Sequence, residues 1–167
     1  MQAASTLELV AEVAVAFAGF SGIVGVYRER AGATSDPGPD LRILVEYSVY
    51  LLAAALLPLF LWHGGVSEYH AWRVASFLSA LYTATYYLVR HRTLVANTSE
   101  KRSVGAKRLD YAFYSLDWLL AALLVVNAAG VLPFDPIVIY LVNLGYQLTG
   151  TSLTFVRFVA PLWRAAA

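Results

Sequence analysis

No cysteine occurs in the chain, which excludes disulfides, thiolate chemistry and cysteine-ligated metal or iron–sulfur sites. Charge is scarce as well. Asp, Glu, Lys and Arg make up 14% of the sequence, against roughly 25% in an ordinary soluble domain. A soluble bundle of this size needs a polar outer face on every helix, and so few charges cannot coat five of them. The net charge of +1 is not that of a nucleic-acid binder, and the basic residues do not interleave with aromatics as such a surface requires. The first cation is Arg28. The basic leading region of a cleavable signal is therefore missing, and the first apolar stretch is expected to stay in the mature protein. HExxH, GxSxG, P-loop and dinucleotide motifs are absent. No lysine falls in a predicted helix core, which removes a retinal Schiff base. These absences predict a protein that is not an enzyme and holds neither metal nor cofactor.

What is present is hydrophobic: 59% of the residues, with a mean hydropathy of +0.61. Five apolar stretches stand out, at about 7–27, 43–62, 72–89, 111–132 and 136–159. A span needs ~20 predominantly apolar residues to cross ~30 Å of hydrocarbon. The second and fifth stretches meet this fully. The other three reach it by including an ionisable residue near one end, so four spans with a shallow first helix are the alternative. The expected fold is all-α, a single domain over residues 1–167 that forms an integral membrane bundle of about five helices.

Basic residues test this count, because cytoplasmic loops collect Lys and Arg. Arg28, Arg30 and Arg42 lie in the first connection. Arg90, Arg92, Lys101, Arg102, Lys107 and Arg108 lie in the third, and Arg157 and Arg164 at the C-terminal end. Of the twelve, Arg73 alone falls in the other set of connections. Five spans with the N-terminus outside and the C-terminus cytoplasmic reproduce this asymmetry. Residues 31–40 read as a turn-rich linker, and His63-Gly64-Gly65 as the end of the second helix. In Leu132-Pro133-Phe134-Asp135-Pro136, Asp135 is the expected N-cap and Pro136 the first helical residue. Trp62, Tyr69, Trp72, Trp118 and Trp163 are placed for an interfacial aromatic belt. No internal repeat is visible, and an odd helix count argues against the simplest inverted-repeat transporter.

Candidate functional residues fall in three groups. In the first helix, Ala18 and Gly22 form a small-xxx-small pair, and Gly19, Gly22 and Gly25 recur every third residue. Ala18, Gly22 and Gly25 suit tight helix packing, inside the bundle or between subunits, or else a helix lining a narrow pore. Glu8 and Glu12, four residues apart, share a face close to that of Gly19. They are either a solvated helix start that complements the dipole or a ring of carboxylates at an oligomeric pore mouth. In the fifth helix, Asn143, Gln147, Gly150, Thr154 and Arg157 fall within roughly 40° of one line at about 100° per residue. Such a stripe faces other helices, a partner or water, not lipid. Asn143, Gln147 and Thr154 are its candidate pathway residues. A milder stripe in the third helix holds Ser76, Ser79, Thr83, Tyr87 and Arg90.

The third group is an intramembrane charge cluster. Asp117 lies about two turns inside the fourth stretch, where Arg157 of the returning helix can reach similar depth. Glu46 can pair with Arg90 or Arg157. The favoured reading is a structural ion-pair cluster, with a proton or ion site on Asp117 as the other. Pro58 is expected to kink the second helix. His63, His70 and His91 lie near helix ends and read as structural or interfacial, because no metal-binding spacing supports them.

The stretch Phe17-Ala18-Gly19-Phe20-Ser21-Gly22 resembles the first helix of small bacterial multi-pass inner-membrane proteins that have no assigned activity. The likeness covers some twenty residues. It implies a bacterial cytoplasmic membrane and transfers no functional residue. Two functions from different classes follow. One is a homo-oligomeric ion channel, lined by Glu8, Glu12 and Gly19 or by Asn143, Gln147 and Thr154. The other is a non-conducting subunit or scaffold that packs against a partner membrane protein. In either case the partners are the lipid bilayer and protein, not nucleic acid. A membrane-embedded enzyme or small transporter is the third and least supported class.

Overall fold

A computed structural model describes residues 1, 3–30, 38–88 and 104–166. Every element in it is helical: α1 (Ala4–Arg30), α2 (Gly38–His63), α3 (Glu68–Tyr86), α4 (Val104–Ala129) and α5 (Pro136–Ala166). Three stretches are long and apolar enough to cross a membrane: Ala4–Tyr27, Leu41–His63 and Tyr111–Ala129. α3 and α5 stand apart from these because polar residues interrupt their hydropathy, though 19 and 31 residues are long enough.

Packing divides the chain into two compact units, Met1–Gly65 with Leu141–Ala167 and Val66–Tyr140. In the first, α1 and α2 form a pair. Leu7, Val10, Ala11, Ala14, Ser21 and Gly25 are buried along α1, and Leu44, Ser48, Leu51, Ala55 and Pro58 along α2. Spacings of four and three along α2, and of three, four and seven along α1, keep each buried line on one helix face. The helices come close at Gly25, where a Cβ would stand 2.9 Å from Leu41 Cδ2. α2 runs through Pro58, which lies buried inside the helix. Its end follows the expected signal: Gly64 N–H donates to Phe60 O at 2.9 Å, and Gly65 takes φ +89°. The rings of Phe17 and Phe155 meet at 5.4 Å.

In the second unit α3 packs against α4. α4 stops at Gly130, whose φ of +70° is the left-handed conformation that glycine adopts without penalty. Gly130 N–H donates to Asn127 O, and Val131 N–H to Val126 O, closing a Schellman turn. Asp135 caps α5 as the sequence indicates: its Oδ1 accepts from Ile137 N–H at 3.1 Å, and Pro136 opens the helix. One aromatic departs from the expected belt. Trp72 is 1% exposed and packs on Tyr140 at 5.5 Å, so it is a core residue. The inward-facing line of α3 carries it there. Tyr69, one turn earlier, is 48% exposed.

Candidate functional site

The polar residues of α3, α4 and α5 are turned inward and the large apolar ones outward. On α3, Ala71, Trp72, Ala75, Ser76, Ser79, Ala80 and Thr83 are buried, whereas Val74, Phe77, Leu78 and Leu81 are exposed. On α4, Asp117 and Asn127 are buried, and Leu116, Leu119 and Val125 are exposed. On α5, Asn143, Gln147 and Thr151 are buried, and Val138, Val142, Leu153 and Val156 are exposed. A water-soluble bundle has the opposite arrangement.

Within the second unit the inward groups form two polar centres. In the first, Asn127 Nδ2 donates to Ser76 Oγ and to Pro136 O, each at 2.9 Å. Both protons of the carboxamide nitrogen are thereby used. One residue of α4 thus joins α3 to the first residue of α5. Ser79 Oγ and Tyr140 Oη lie 3.5 Å apart on the same side of α3.

In the second centre the Tyr87 hydroxyl donates to Asp117 Oδ2. Asp117 is buried and Tyr87 half-buried, and Tyr87 begins a wider π-type turn that follows α3. Tyr114 and Trp118 complete the cluster, with rings 5.2 and 6.3 Å from that of Tyr87. The tyrosine reaches the carboxylate because α3 and α4 are antiparallel neighbours, which places the end of α3 beside the middle of α4.

Glu46 pairs with Arg42, one turn before it on α2, at 3.1 Å. Asp117 is held by Tyr87, and Arg157 is exposed. Arg90 lies outside the described residues. Groups of three or more His, Cys, Asp or Glu side chains arranged to hold a metal ion do not occur among the described residues.

The polar stripe of α5 resolves into two kinds of residue. Its hydroxyls are satisfied by their own helix: Thr149 bonds Gly145 O, Thr151 bonds Gln147 O, Ser152 bonds Leu148 O and Thr154 bonds Gly150 O, all at 2.8–2.9 Å. Such back-bonding removes the demand for an outside partner. Asn143 is different: its buried Nδ2 meets no acceptor among the described residues. Thr154 is half-buried, and Asn143 and Gln147 are buried.

On α1 the situation is reversed. Glu8, Glu12, Val15, Gly19, Gly22 and Val26 are all exposed and recur at alternating intervals of four and three. Among the described residues, no atom outside the local helix backbone lies within 4 Å of a Cβ built on Gly19 or Gly22. Of the three residues expected to pack helices, Gly25 does so inside the chain, Ala18 is half-buried, and Gly22 stands on the outward seam.

Asn127 and the Tyr87–Asp117 pairing are the functional contacts that sequence reasoning missed. Asn127 had a readable signal: Asp117, Leu120, Ala121, Leu124 and Asn127 fall on one helix face, with polar residues at both ends. No protein-family model, curated protein or solved structure matches the chain.

Proposed function

We propose that the protein is a five-span membrane protein of the bacterial cytoplasmic membrane and assembles as a homo-oligomeric cation channel with α1 along the axis. Its N-terminus is outside and its C-terminus cytoplasmic, as the distribution of Lys and Arg requires. Two spans beyond the three most apolar helices are supported by the inward polar faces of α3 and α5. Polar residues lower the hydropathy of these helices, yet the surfaces they expose are rows of valine, leucine and phenylalanine suited to lipid.

The observation that carries the channel is the outward seam of α1. Arg28 is sixteen residues from Glu12, or about 24 Å at a rise of ~1.5 Å per residue. With Arg28 at the inner boundary of ~30 Å of hydrocarbon, Glu12 falls inside the apolar layer and Glu8 at its outer edge. An exposed carboxylate at that depth is costly against lipid. A closed ring of copies relieves it by bringing the same face of every subunit to a hydrated axis. Alternating spacings of four and three are those of a left-handed helix seam, and glycine at 19 and 22 allows close approach. Rings of Glu8 and Glu12 favour cations. The alternative lining, Asn143, Gln147 and Thr154, faces the interior of the chain.

The test is ion flux in proteoliposomes, with the oligomeric state measured on the same preparation. A closed ring that conducts cations, altered in Glu12→Gln and unaltered in Thr154→Val, is expected. A non-conducting monomer would sink the channel and leave the same seam as a docking face for another membrane protein.

A further inference from the structure

The hydroxyls of α5 are satisfied within the helix, and the carboxamide nitrogen of Asn127 spends both of its protons. Asn143 stands apart. It is 1% exposed, and its Nδ2 meets no acceptor among the described residues. Leaving a buried amide donor unpaired costs about 1–3 kcal/mol, and hydrocarbon outside the helix supplies no acceptor. One turn further along the same face is Gln147, 5% exposed, a second neutral carboxamide. Along the axis the two are about 6 Å apart by rise per residue.

Their depth is set by the ends of the helix. Asp135 and Arg157 bracket the uncharged stretch Pro136–Val156, which is about 31 Å long and matches the hydrocarbon core. Its midpoint is Tyr146, so Asn143 and Gln147 lie on either side of the bilayer centre. Leu144, next to Asn143 in the chain, is also 1% exposed. The donor set is uncharged, so it suits a neutral group that accepts a proton from Asn143 and exchanges a second hydrogen bond with Gln147. A molecule with both capacities and small enough for a packed interior is water, which commonly satisfies such groups in protein interiors.

We propose that Asn143 and Gln147 form a binding site for a single internal water near the middle of the membrane. The site rests on the reading of α5 as a membrane span but not on the proposed pore, since it holds in a monomer as well as in a ring.

The experiment is proton NMR of the full chain in nanodiscs with 15N-labelled asparagine, reading cross-peaks between side-chain amide protons and water. Opposite signs in the laboratory and rotating frames separate dipolar contact from proton exchange. The Asn143 side-chain resonance is identified by its loss in Asn143→Leu or, if that variant does not fold, by elimination from the losses in Asn97→Gln and Asn127→Gln. A dipolar water cross-peak at Asn143 is expected, and it should lose most of its intensity in Gln147→Met, which keeps the side-chain length without the amide. A cross-peak to lipid acyl protons in place of water overturns the site. So does a water cross-peak unchanged in Gln147→Met.

Discussion

Arg73 donates its Nε proton to the carbonyl oxygen of Ala128 at 2.7 Å, across 55 residues of sequence. This is the basic residue that stands outside the set expected on the cytoplasmic side, and its role is local. It caps the C-terminal end of α4, where unpaired carbonyls and the negative end of the helix dipole accumulate. Its guanidinium lies 5.4 Å from the centre of the Tyr69 ring. Arg73→Leu is expected to destabilise the fold by about 1.5–3 kcal/mol, the range for a hydrogen bond to a charged group. Arg73→Lys should recover only part of this, because an ammonium lacks the planar fork. Reversible unfolding of the reconstituted protein in denaturing detergent measures both.

Gly130 lies beneath the same guanidinium. A Cβ there would stand 3.0 Å from Arg73 Cζ, and the backbone is at φ +70°. Gly130→Ala is therefore expected to cost about 1–2 kcal/mol from the left-handed conformation alone, with displacement of Arg73 added. Combined with Arg73→Leu, the alanine should cost less than it does alone, since the side chain it displaces has gone. A double-mutant cycle reads that coupling directly.

Asn127 supplies the next expectation. Asn127→Leu removes two hydrogen bonds and strands the acceptors at Ser76 and Pro136. Interhelical bonds in membrane proteins average about 0.6 kcal/mol each, so a loss of about 1–2 kcal/mol is expected. Ser76→Ala in the Asn127→Leu background should then be nearly silent. A Ser76→Ala effect of full size in that background would show that the two do not act together.

These contacts mark where the sequence stops being legible. The helices, the Gly130 stop and the Asp135 cap follow from local chemistry. The inward faces of α3 and α5 follow from the spacing of Ser76, Ser79 and Thr83 and of Asn143 and Gln147. Partner choice does not. Asp117 read as a candidate ion-pair partner of Arg157 from compatible depth, and nothing in its spacing pointed to the Tyr87 hydroxyl that donates to it. Likewise Gly22 and Gly25 look equivalent in sequence. Three residues turn a helix by about 300°, enough to put Gly25 against Leu41 and Gly22 on the outside.

The pairing of Tyr87 with Asp117 makes an ordered series of variants. Asp117→Asn keeps an acceptor for the Tyr87 hydroxyl, so it is expected to be the mildest. Tyr87→Phe removes the donor while a buried carboxylate stays in place, which should cost about 1–3 kcal/mol. Asp117→Leu also strands the Tyr87 hydroxyl and should fall between the two. Because the Trp118 ring lies 6.3 Å from that of Tyr87, a change in tryptophan emission should accompany Tyr87→Phe. Equal stability for all three variants would mean that the hydrogen bond makes no net contribution.

Glycines on the two faces of α1 separate packing within a subunit from packing between subunits. At Gly25 a Cβ would meet the terminal Cδ2 of Leu41 at 2.9 Å. Alanine there displaces only the end of a flexible side chain and should be tolerated, whereas Gly25→Leu forces α1 and α2 apart and should cost about 1–3 kcal/mol as overpacking does. At Gly22 no atom of the described residues outside the local helix backbone lies within 4 Å, so Gly22→Leu should leave the stability of the single chain intact or raise it by up to about 1 kcal/mol through helix propensity. In a ring built on α1 the same leucine would fall in the contact between copies and weaken assembly. Mass measurement of the detergent-solubilised complex, set beside unfolding of the dissociated chain, reads the two effects independently. Intact assembly in Gly22→Leu, with Gly19→Leu also intact, would remove α1 from the axis and with it the carboxylate rings of Glu8 and Glu12.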